Sequence, residues 1–415
     1  MKKEEIKEEK TKTTRRKTTK KEVKTESEDI IVKSSVEFSL IEVIFIVLIT
    51  GIAVSVASGI LVYNNYDKLN NQIISIDNGD LTEFVDNYNK ILNNYVEEVD
   101  KNKLIEAAIS GMYNYIGDEY TMYIDDDSTA DLQEQLEGEY KGVGIEIVTM
   151  LDKEEPYVKV NRVFKNSPAE RAGIKPGDII TKVDGVAVND AAVLSDTIKK
   201  GNKETYEITY IRDGKESSLK LTREKVLINS VTSEEHDNVG YIKLETFSKT
   251  ADDQIKECLD GFSKKITSLV IDLRDNTGGS LDAAYNVSDL FLEKGKVIYQ
   301  IKERNSEPVL YKANSKVYRK FNKIVVLVNE SSASASEILA LALKESAGAT
   351  IVGTKTYGKG TVQETGILSS GSMIKYTRAY WLSPNGNSIN KEGIKPDIEV
   401  PNADKQLESA IKAAK

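Results

Sequence analysis

A cluster of four serines precedes an apolar segment in the C-terminal half of the chain. Residues 329–337 read NESSASASE, and the chain continues as ILALALKES, which is typical of a buried helix. A serine at the start of a helix is commonly an N-cap. The same place also suits a nucleophile, because free backbone N–H groups and the helix dipole favour a developing anion. The residue types alone favour neither interpretation.

The scarcity of histidine and cysteine narrows the choice of a catalytic base. The chain has 415 residues but one His and one Cys. A Ser-His-Asp triad would need His236, and a cysteine nucleophile would need Cys258 with His236. One cysteine also excludes an intramolecular disulfide, and the two residues are too few for a structural zinc site. A hydrolase of this composition would therefore use an unusual base.

Lys359 lies in a glycine-rich segment, residues 353–363, which reads GTKTYGKGTVQ. The spacing of Gly353, Gly358 and Lys359 nearly matches a phosphate-binding loop. However, Gly360 occupies the position of the Ser or Thr that would hold magnesium, which disfavours nucleotide binding. The plain alternative is a surface lysine in a glycine turn.

Strands and helices alternate over the last part of the chain. Strands are expected at 238–247, 268–273 and 323–328, with helical patterns between them, which indicates an α/β core. The segment DLRDNTGG (272–279) and the serine cluster each follow one of these strands. Since open α/β sheets place active sites at strand ends, we expect both loops to border one site.

These motifs, in this order, closely resemble the C-terminal processing peptidases, the tail-specific serine proteases of family S41. The resemblance rests on SASASE, YGKGTVQ and DLRDNTGG, together with SPNG (383–386) and GIKPDIEV (393–400). It covers residues 80–400, and Thr277 stands where the family more usually has Pro.

The resemblance implies a catalytic set. Ser334 matches the family's nucleophile, Lys359 its general base, and Gln363 the residue that orients the lysine. A lysine acts as a base only when neutral, so burial must lower its pKa. If Lys359 and Gln363 share one strand, their side chains point to the same face. No metal and no cofactor is implied.

The resemblance also implies supporting groups around the reacting carbonyl. The backbone amide of Ala335 and one amide of the pair Gly278 and Gly279 would form the oxyanion hole. Glu337 and Thr356 match positions that support the site.

Short strands and turns dominate between residues 137 and 224. The stretches YKGVGI (140–145), SPAERAGI (167–174) and KPGDIITKVDG (175–185) resemble a PDZ domain of the bacterial protease type. The resemblance implies that Gly142, Val143, Gly144 and Ile145 bind the terminal carboxylate of a peptide that adds to the following strand edge. SPAERAGI predicts a short helix opened by its Ser and Pro. Some domains of this fold only pack or regulate, so the fold alone does not prove peptide binding.

The N-terminal residues have two different compositions. Residues 1–38 are rich in Lys, Glu and Thr, which predicts a disordered tail. Residues 40–62 are mostly apolar, with Glu42 as the only charge, and would form a helix of about 35 Å, enough to cross a bilayer core of roughly 30 Å. The preceding Lys and Arg residues place the N-terminus in the cytoplasm and the remaining chain outside. A cleaved signal peptide is disfavoured by the length of this stretch.

A helical region is expected over residues 64–136. Apolar residues recur at helical spacing within 84–99, and a second helical segment follows at 103–116. The pattern is typical of a packing or dimerising pair of helices, so a homodimer is one expected assembly. The acidic run 125–127 lacks the spacing of a calcium loop and indicates a solvated turn.

The sequence thus predicts an α/β (α+β) multidomain, single-pass membrane protein with protein or peptide substrates that have free C-termini. Its parts are a cytoplasmic tail (1–38), a transmembrane anchor (39–63), a helical region (64–136), a PDZ domain (137–224), a Ser-Lys peptidase core (225–402) and a C-terminal tail or helix (403–415). The net charge of −9 argues against nucleic-acid binding. The rival interpretation is a membrane-anchored PDZ adaptor with an inactive peptidase-like body.

Overall fold

The computed structural model describes residues 78–152 and 155–415. The chain divides into two compact units, residues 1–99 and 100–415. The predicted tail and anchor, residues 1–63, lie outside the described residues. Within the described ranges, no helix is both long and apolar enough to cross a membrane.

Two helices open the described chain. Helix α1 spans Asn78–Asn94 and α2 spans Lys101–Ile116, so both predicted helical segments are confirmed in type. The helical pattern over 84–99 runs too far, however, because α1 ends at Asn94 and leaves Tyr95 and Val96 exposed beyond it. Consecutive asparagines are weak helix formers, which explains this end.

A short strand and a third helix follow. Strand β1 spans Met122–Ile124 and helix α3 spans Asp126–Glu137. The acidic run predicted as a solvated turn instead starts this helix: Asp125 is the N-cap, and its Oδ1 accepts the amide of Ser128 at 2.8 Å. Carboxylates are favourable there because they meet free N–H groups and the positive end of the helix dipole.

The next part is a β-rich module with a core of its own. Its strands are β2 (Glu139–Gly142), β3 (Ile145–Asp152), β4 (Glu155–Val163), β5 (Ile179–Val183), β6 (Val186–Ala187), β7 (Thr205–Arg212), β8 (Lys215–Thr222) and β9 (Glu224–Leu227). Helices α4 (Pro168–Arg171) and α5 (Ala191–Lys199) complete it. The main sheet has the order β3-β4-β5-β7-β8, so β3 is an edge strand.

The largest core is a sheet with helices on both faces. Its strands are β10 (Val231–His236), β11 (Val239–Leu244), β12 (Ser268–Asp272), β15 (Lys323–Val328), β16 (Thr350–Gly353) and β19 (Ile398–Glu399), in that spatial order. All but β10 pair in parallel. Helices α6 (Ala251–Gly261), α7 (Leu281–Asp289) and α8 (Ala335–Ala347) pack on one face, and α9 (Ala403–Ala414) on the other. The three predicted strands are confirmed.

A third sheet borders this core. Its strands are β1, β13 (Val297–Glu303), β14 (Val309–Lys312), β17 (Thr361–Ile367) and β18 (Met373–Leu382). Strand β18 is central: it pairs with β13, β17 and β1. The Met122↔Lys375 pairing of β1 with β18 joins the segment after α2 to the sheet that carries Gln363.

Candidate active site

Two loops meet where neighbouring parallel strands end. Loop 273–280 follows β12, and loop 329–334 follows β15, which pairs with β12. Asn329 Nδ2 donates to Asp275 Oδ1 at 2.8 Å, and the amide of Asp275 donates to Asn329 Oδ1 at 3.0 Å. The expectation that both loops border one site is confirmed.

The structure separates the roles of the clustered serines. Ser332 Oγ donates to the carbonyl of Leu273 at 2.7 Å, and Ser336 Oγ donates to the carbonyl of Asn276 at 2.8 Å. Both side chains are fully buried, so these serines fasten the two loops together. Ser334 is only partly buried and lines the cleft. It is also the N-cap residue of α8 and forms a capping box with Glu337, so the N-cap position and a place in the cleft belong to the same serine.

The backbone at Ser334 is strained. Its φ of 54° and ψ of −114° lie outside the regions that L-residues favour. Such a conformation costs on the order of 1–3 kcal/mol and persists where the surroundings enforce it. Here it turns the chain sharply from β15 into α8 and presents the side chain to the cleft.

The carboxylate of Glu337 binds both loops that carry the candidate catalytic pair. Its Oε2 accepts the amides of Ser334 at 2.8 Å and Lys359 at 2.9 Å. Its Oε1 accepts the Thr356 hydroxyl at 2.6 Å and the Gly358 amide at 2.8 Å. Burial raises the pKa of Glu337, against these four donors, which lower it. An oxygen pair that accepts four donors and donates to none acts as an ionised carboxylate.

Lys359 is held by its backbone just outside a strand. Its carbonyl accepts the indole Nε1–H of Trp381 at 2.9 Å, and its amide is bound by Glu337. Strand β17 begins at Thr361, and a bulge lies between Val362 and Gln363. The condition that Lys359 and Gln363 lie on one strand is not met, because the strand starts after the lysine, but both residues line the same cleft.

The ammonium of Lys359 lies over an aromatic ring. Its Nζ is 4.5 Å from the ring centroid of Tyr120, which is within cation–π range. Burial lowers the pKa of Lys359, and the charge of Lys375 lowers it further, while Asp118, Glu119 and Glu337 oppose these effects. A lowered pKa enlarges the neutral fraction that a general base requires.

Gln363 is held by hydroxyls. Its Nε2 donates to Thr361 Oγ1 at 2.8 Å and to Thr377 Oγ1 at 3.3 Å. In the described part of the chain, no hydrogen bond joins Gln363 to Lys359 or Lys359 Nζ to Ser334 Oγ. The structure brings these three side chains to one cleft but leaves the lysine amine on the aromatic ring.

Two backbone amides face the strained serine turn without partners among the described residues. The Gly278 amide donates to Asn276 Oδ1 at 2.8 Å and is therefore occupied. The amides of Gly279 and Ala335 carry no such bond. Gly278 has a φ of 106°, and a Cβ on it would lie 3.0 Å from Ser334 Cβ, so only glycine allows this approach.

The candidate residues surround a cleft of about 580 Å³. It is lined by Ser334, Lys359, Gln363, Ala335, Gly278 and Gly279. Glu337 and Thr356 are buried and do not line the cleft. Glu337 accepts the amides of two residues that do, Ser334 and Lys359, and Thr356 donates to Glu337. In the described ranges, no cluster of His, Cys, Asp and Glu is suited to a metal ion.

Three family models match the chain. The family described as "Peptidase family S41" matches residues 238–400, "PDZ domain" matches 128–222, and "Activating protease CtpB N-terminal domain" matches 60–128. A "Probable CtpA-like serine protease" of Staphylococcus aureus (strain N315) is 34% identical over 387 residues, covering 91% of this chain and 77% of that protein. The chain belongs to peptidase family S41.

Other relatives of this S41 protease have related names. The "Carboxy-terminal processing protease CtpA" of Bacillus subtilis (strain 168) is 34% identical over 367 residues, covering 86% of this chain and 77% of that protein. Among solved structures, the photosystem II D1 C-terminal processing protease is 29% identical, covers 80% of this chain and 96% of its own, and superposes with a TM-score of 0.46. The S41 family and the two CtpA-type relatives identify the chain as a serine protease of the C-terminal processing group, and the domain match shows that it carries a PDZ domain.

Three of the four residues predicted to bind a peptide line a second groove, and Gly144 lies beside it. Gly142, Val143 and Ile145 line a groove of about 220 Å³ between edge strand β3 and helix α5. Gly144 has a φ of 86°, and a Cβ there would lie 2.0 Å from Ser167 Cβ. Its carbonyl accepts the amide of Phe164 at 3.0 Å. The predicted short helix is confirmed: Ser167 Oγ accepts the amide of Glu170 at 3.2 Å.

Neither His236 nor Cys258 lines the cleft of the protease. His236 ends strand β10 and packs edge-on against Tyr241. Cys258 lies in α6 and is partly buried against the core.

Sequence reasoning missed several residues that hold the cleft. Trp381, Thr377 and Tyr120 contact the lysine or the glutamine from other parts of the chain. One available signal was the single Trp of the chain. Another was the S-x-x-E spacing of Ser334 and Glu337, which is the capping-box pattern that brings a carboxylate back to an N-cap amide.

Proposed function

We propose that the chain is a membrane-anchored serine endopeptidase that cleaves proteins through an acyl-enzyme on Ser334. The observation that carries this proposal is the Glu337 carboxylate, which binds the amides of Ser334 and Lys359 through one oxygen. This contact fixes the backbones of a hydroxyl-bearing and an amine-bearing residue beside two partner-free amides. That combination supplies a nucleophile, a base and an oxyanion site.

Catalysis requires Lys359 to turn from Tyr120 toward Ser334. Catalytic hydrogen bonds are often unformed before substrate binds. The neutral amine takes the proton of Ser334 Oγ as that oxygen attacks the scissile carbonyl. The resulting oxyanion is bound by the amides of Gly279 and Ala335, with Gly278 shaping the turn beside them.

Collapse of this tetrahedral intermediate breaks the C–N bond. The ammonium of Lys359 returns its proton to the leaving amine, which departs as the new N-terminus. A water molecule then gives a proton to the neutral amine of Lys359 and attacks the acyl ester. Lys359 returns that proton to Ser334 Oγ when the carboxylic acid product leaves. Gln363, a neutral side chain, orients the amine without adding a charge that would raise its pKa.

The PDZ groove selects the substrate and controls its delivery. An extended tail adds to the edge of β3, and its terminal carboxylate meets the backbone at Gly142–Ile145. The groove is lined partly by apolar side chains, including Ile147 and Ile198, which suits a tail with apolar residues. Substrates are therefore proteins and peptides with free C-termini.

The architecture follows the division expected from the sequence. In the proposed architecture, residues 39–63 form a single-pass anchor and the tail 1–38 is cytoplasmic. The helical, PDZ and peptidase parts (64–136, 137–224 and 225–402) lie on the extracytoplasmic side of the membrane. Helices α1 and α2 support a homodimer, because each carries exposed large apolar side chains such as Phe84 and Met112.

The experiment compares the purified full-length chain with Ser334→Ala and Lys359→Ala on an unstructured protein substrate. We expect the wild type to degrade it and both variants to lose at least about 10³-fold in rate. Trapping of an acyl-enzyme by mass spectrometry, present in the wild type and absent from Ser334→Ala, identifies the nucleophile. Equal activity in all three proteins would refute the mechanism, and a folded but inactive wild type would favour the adaptor.

A further inference from the structure

The turn that follows helix α2 reaches the catalytic cleft from outside the peptidase sheet. Gly117, with a φ of 69°, ends α2 in a left-handed conformation. Five positions later, at Met122, the chain enters β1, which pairs with β18 along the edge of the cleft. Residues 117–121, here called the α2–β1 turn, are therefore held against the sheet that carries Gln363.

Asp118 in this turn binds a threonine of the cleft sheet. Its Oδ2 accepts the hydroxyls of Thr377 at 2.5 Å and Thr121 at 2.6 Å. Thr121 Oγ1 in turn accepts the amide of Thr377 at 3.1 Å. Thr377 is thus bound by both its backbone and its side chain, although 259 positions separate it from Asp118.

The chain of hydrogen bonds continues to the glutamine. Thr377 Oγ1 donates its one proton to Asp118, and its lone pairs accept the Nε2–H of Gln363 at 3.3 Å. A hydroxyl has one proton, so the carboxylate of Asp118 decides which way Thr377 donates. Without that carboxylate, Thr377 Oγ1 could donate elsewhere, and Gln363 would lose a fixed partner.

Tyr120 of the same turn contacts the lysine. Its ring faces Lys359 Nζ at 4.5 Å from the centroid. The same turn therefore contacts two members of the proposed catalytic set, Gln363 through Thr377 and Lys359 directly. A turn that served only to connect α2 to β1 would not need either contact.

We propose that Asp118 and Tyr120 are positioning residues, which set the placement of the Gln363 amide and of the Lys359 amine before the reaction. The inference rests on the proposed Ser-Lys function, because those side chains matter only if they take part in it. By this route the segment between α2 and the PDZ domain becomes part of the active site.

The first test is kinetic and uses a matched pair at Thr377. Thr377→Ser keeps the hydroxyl and Thr377→Val removes it with little change in shape. We expect Thr377→Val and Asp118→Ala to lower kcat about 10-fold or more with KM within about 2-fold, and Thr377→Ser to remain near wild type. Asp118→Asn, which keeps an acceptor oxygen, should recover much of kcat. Asp100→Asn is the control, since Asp100 also accepts backbone amides but only to cap α2.

The second test does not depend on activity. In the full-length Ser334→Ala protein labelled with 13C-lysine, the ε-CH₂ resonance of Lys359 should be shifted upfield by the Tyr120 ring. Tyr120→Phe should keep that shift, and Tyr120→Leu should remove it. Resonance assignment comes from the loss of the signal in Lys359→Arg, and thermal unfolding confirms that every variant folds.

The outcomes distinguish the inference from the proposed function. If Ser334→Ala is inactive, either of two results overturns the inference. One is a wild-type kcat in folded Asp118→Ala and Thr377→Val, and the other is a Lys359 resonance that is unchanged in Tyr120→Leu. Activity that survives in Ser334→Ala instead overturns the Ser-Lys mechanism, and the resonance then still reports whether Tyr120 holds the lysine.

Discussion

Glu337 Oε2 accepts the backbone amide of Lys359 at 2.9 Å across 22 positions of the chain, and the same oxygen accepts the amide of Ser334 at 2.8 Å. The buried carboxylate thereby couples the loop after β15 to the loop before β17. If Ser334 and Lys359 react as proposed, fixing them relative to each other is one of the larger contributions that a protein makes to catalysis.

We predict that Glu337→Gln lowers both activity and stability. A glutamine side chain has one acceptor oxygen in place of two, so its amide would face N–H donors that it cannot bind. Loss of these charge-assisted bonds in a buried site should cost about 3 kcal/mol of unfolding free energy and at least about 10-fold in kcat. Denaturant unfolding and peptide cleavage measure the two effects.

The control for this prediction lies on the same helix. Glu345 of α8 also accepts a backbone amide, that of Asn385 at 2.8 Å, but away from the cleft. Glu345→Gln should therefore change kcat by less than about 2-fold. An equal loss of activity in both variants would contradict a specific role for Glu337.

A pair of serines two positions apart should respond differently to the same change. Ser334→Ala should abolish cleavage and lower the free energy of unfolding by no more than about 1 kcal/mol, because its partly exposed side chain lines the cleft and contributes at most a helix cap. Ser332→Ala removes the buried bond to the Leu273 carbonyl, so it should cost about 1–2 kcal/mol while much of kcat survives. Thermal unfolding and kcat of both proteins measure these effects. The reverse pattern would show that Ser334 is not the nucleophile.

Lys375→Met should move the pH dependence of kcat to higher pH. The charge of Lys375 lowers the pKa of Lys359, against the opposing carboxylates of Asp118, Glu119 and Glu337. The base works when neutral, so activity rises with pH through its pKa; removal of a positive charge raises that pKa. The ascending limb should shift up by a few tenths to about one pH unit, with a matching loss of rate below it.

The comparison for this profile is Lys302→Met on β13, where the lysine is exposed. Its ascending limb should coincide with that of the wild type. A limb in Lys375→Met that stays in place, or moves to lower pH, would contradict the electrostatic coupling.

The protease should work without its histidine and its thiol. Neither His236 nor Cys258 lines the cleft, so His236→Ala and Cys258→Ala should each keep kcat within about 2-fold of wild type. The pH profile of the wild type should also lack the limb near about pH 6.5 that a histidine base produces. Such a limb, lost in His236→Ala, would require a different mechanism.

A blocked PDZ groove should affect only substrates with a free C-terminus. Ser195 lines the groove on α5, and Ser195→Arg should raise KM for a free-ended peptide about 10-fold with kcat retained. Amidation of the peptide should raise KM similarly in the wild type and add little in Ser195→Arg. Val193→Arg, on the exposed side of the same helix, is the control. Equal cleavage of free and amidated peptides by the wild type would remove the groove from the mechanism.

Much of the site was readable in advance because its signals are local. Ser334, Lys359 and the pair Gly278 and Gly279 each lie in a short contiguous motif. The three core strands are recognisable as runs of β-branched and apolar residues. The ends of helices were harder to predict. Helix α1 ends at Asn94, before the apolar pattern ends, because the low helix propensity of asparagine outweighs an apolar pattern whose side chains are not held by packing.

By itself, the sequence predicted which residues would carry the chemistry and determined which strands precede them, since motif order and hydrophobic period are properties of short segments. The tertiary structure decided where those side chains rest. The Lys359 amine lies over the Tyr120 ring and makes no hydrogen bond to Ser334. Gln363 donates to Thr377 and not to the lysine. Thr377 in turn donates to Asp118, which is 259 positions away in the chain. Contacts at such separations depend on how independent elements pack, and no local pattern records them.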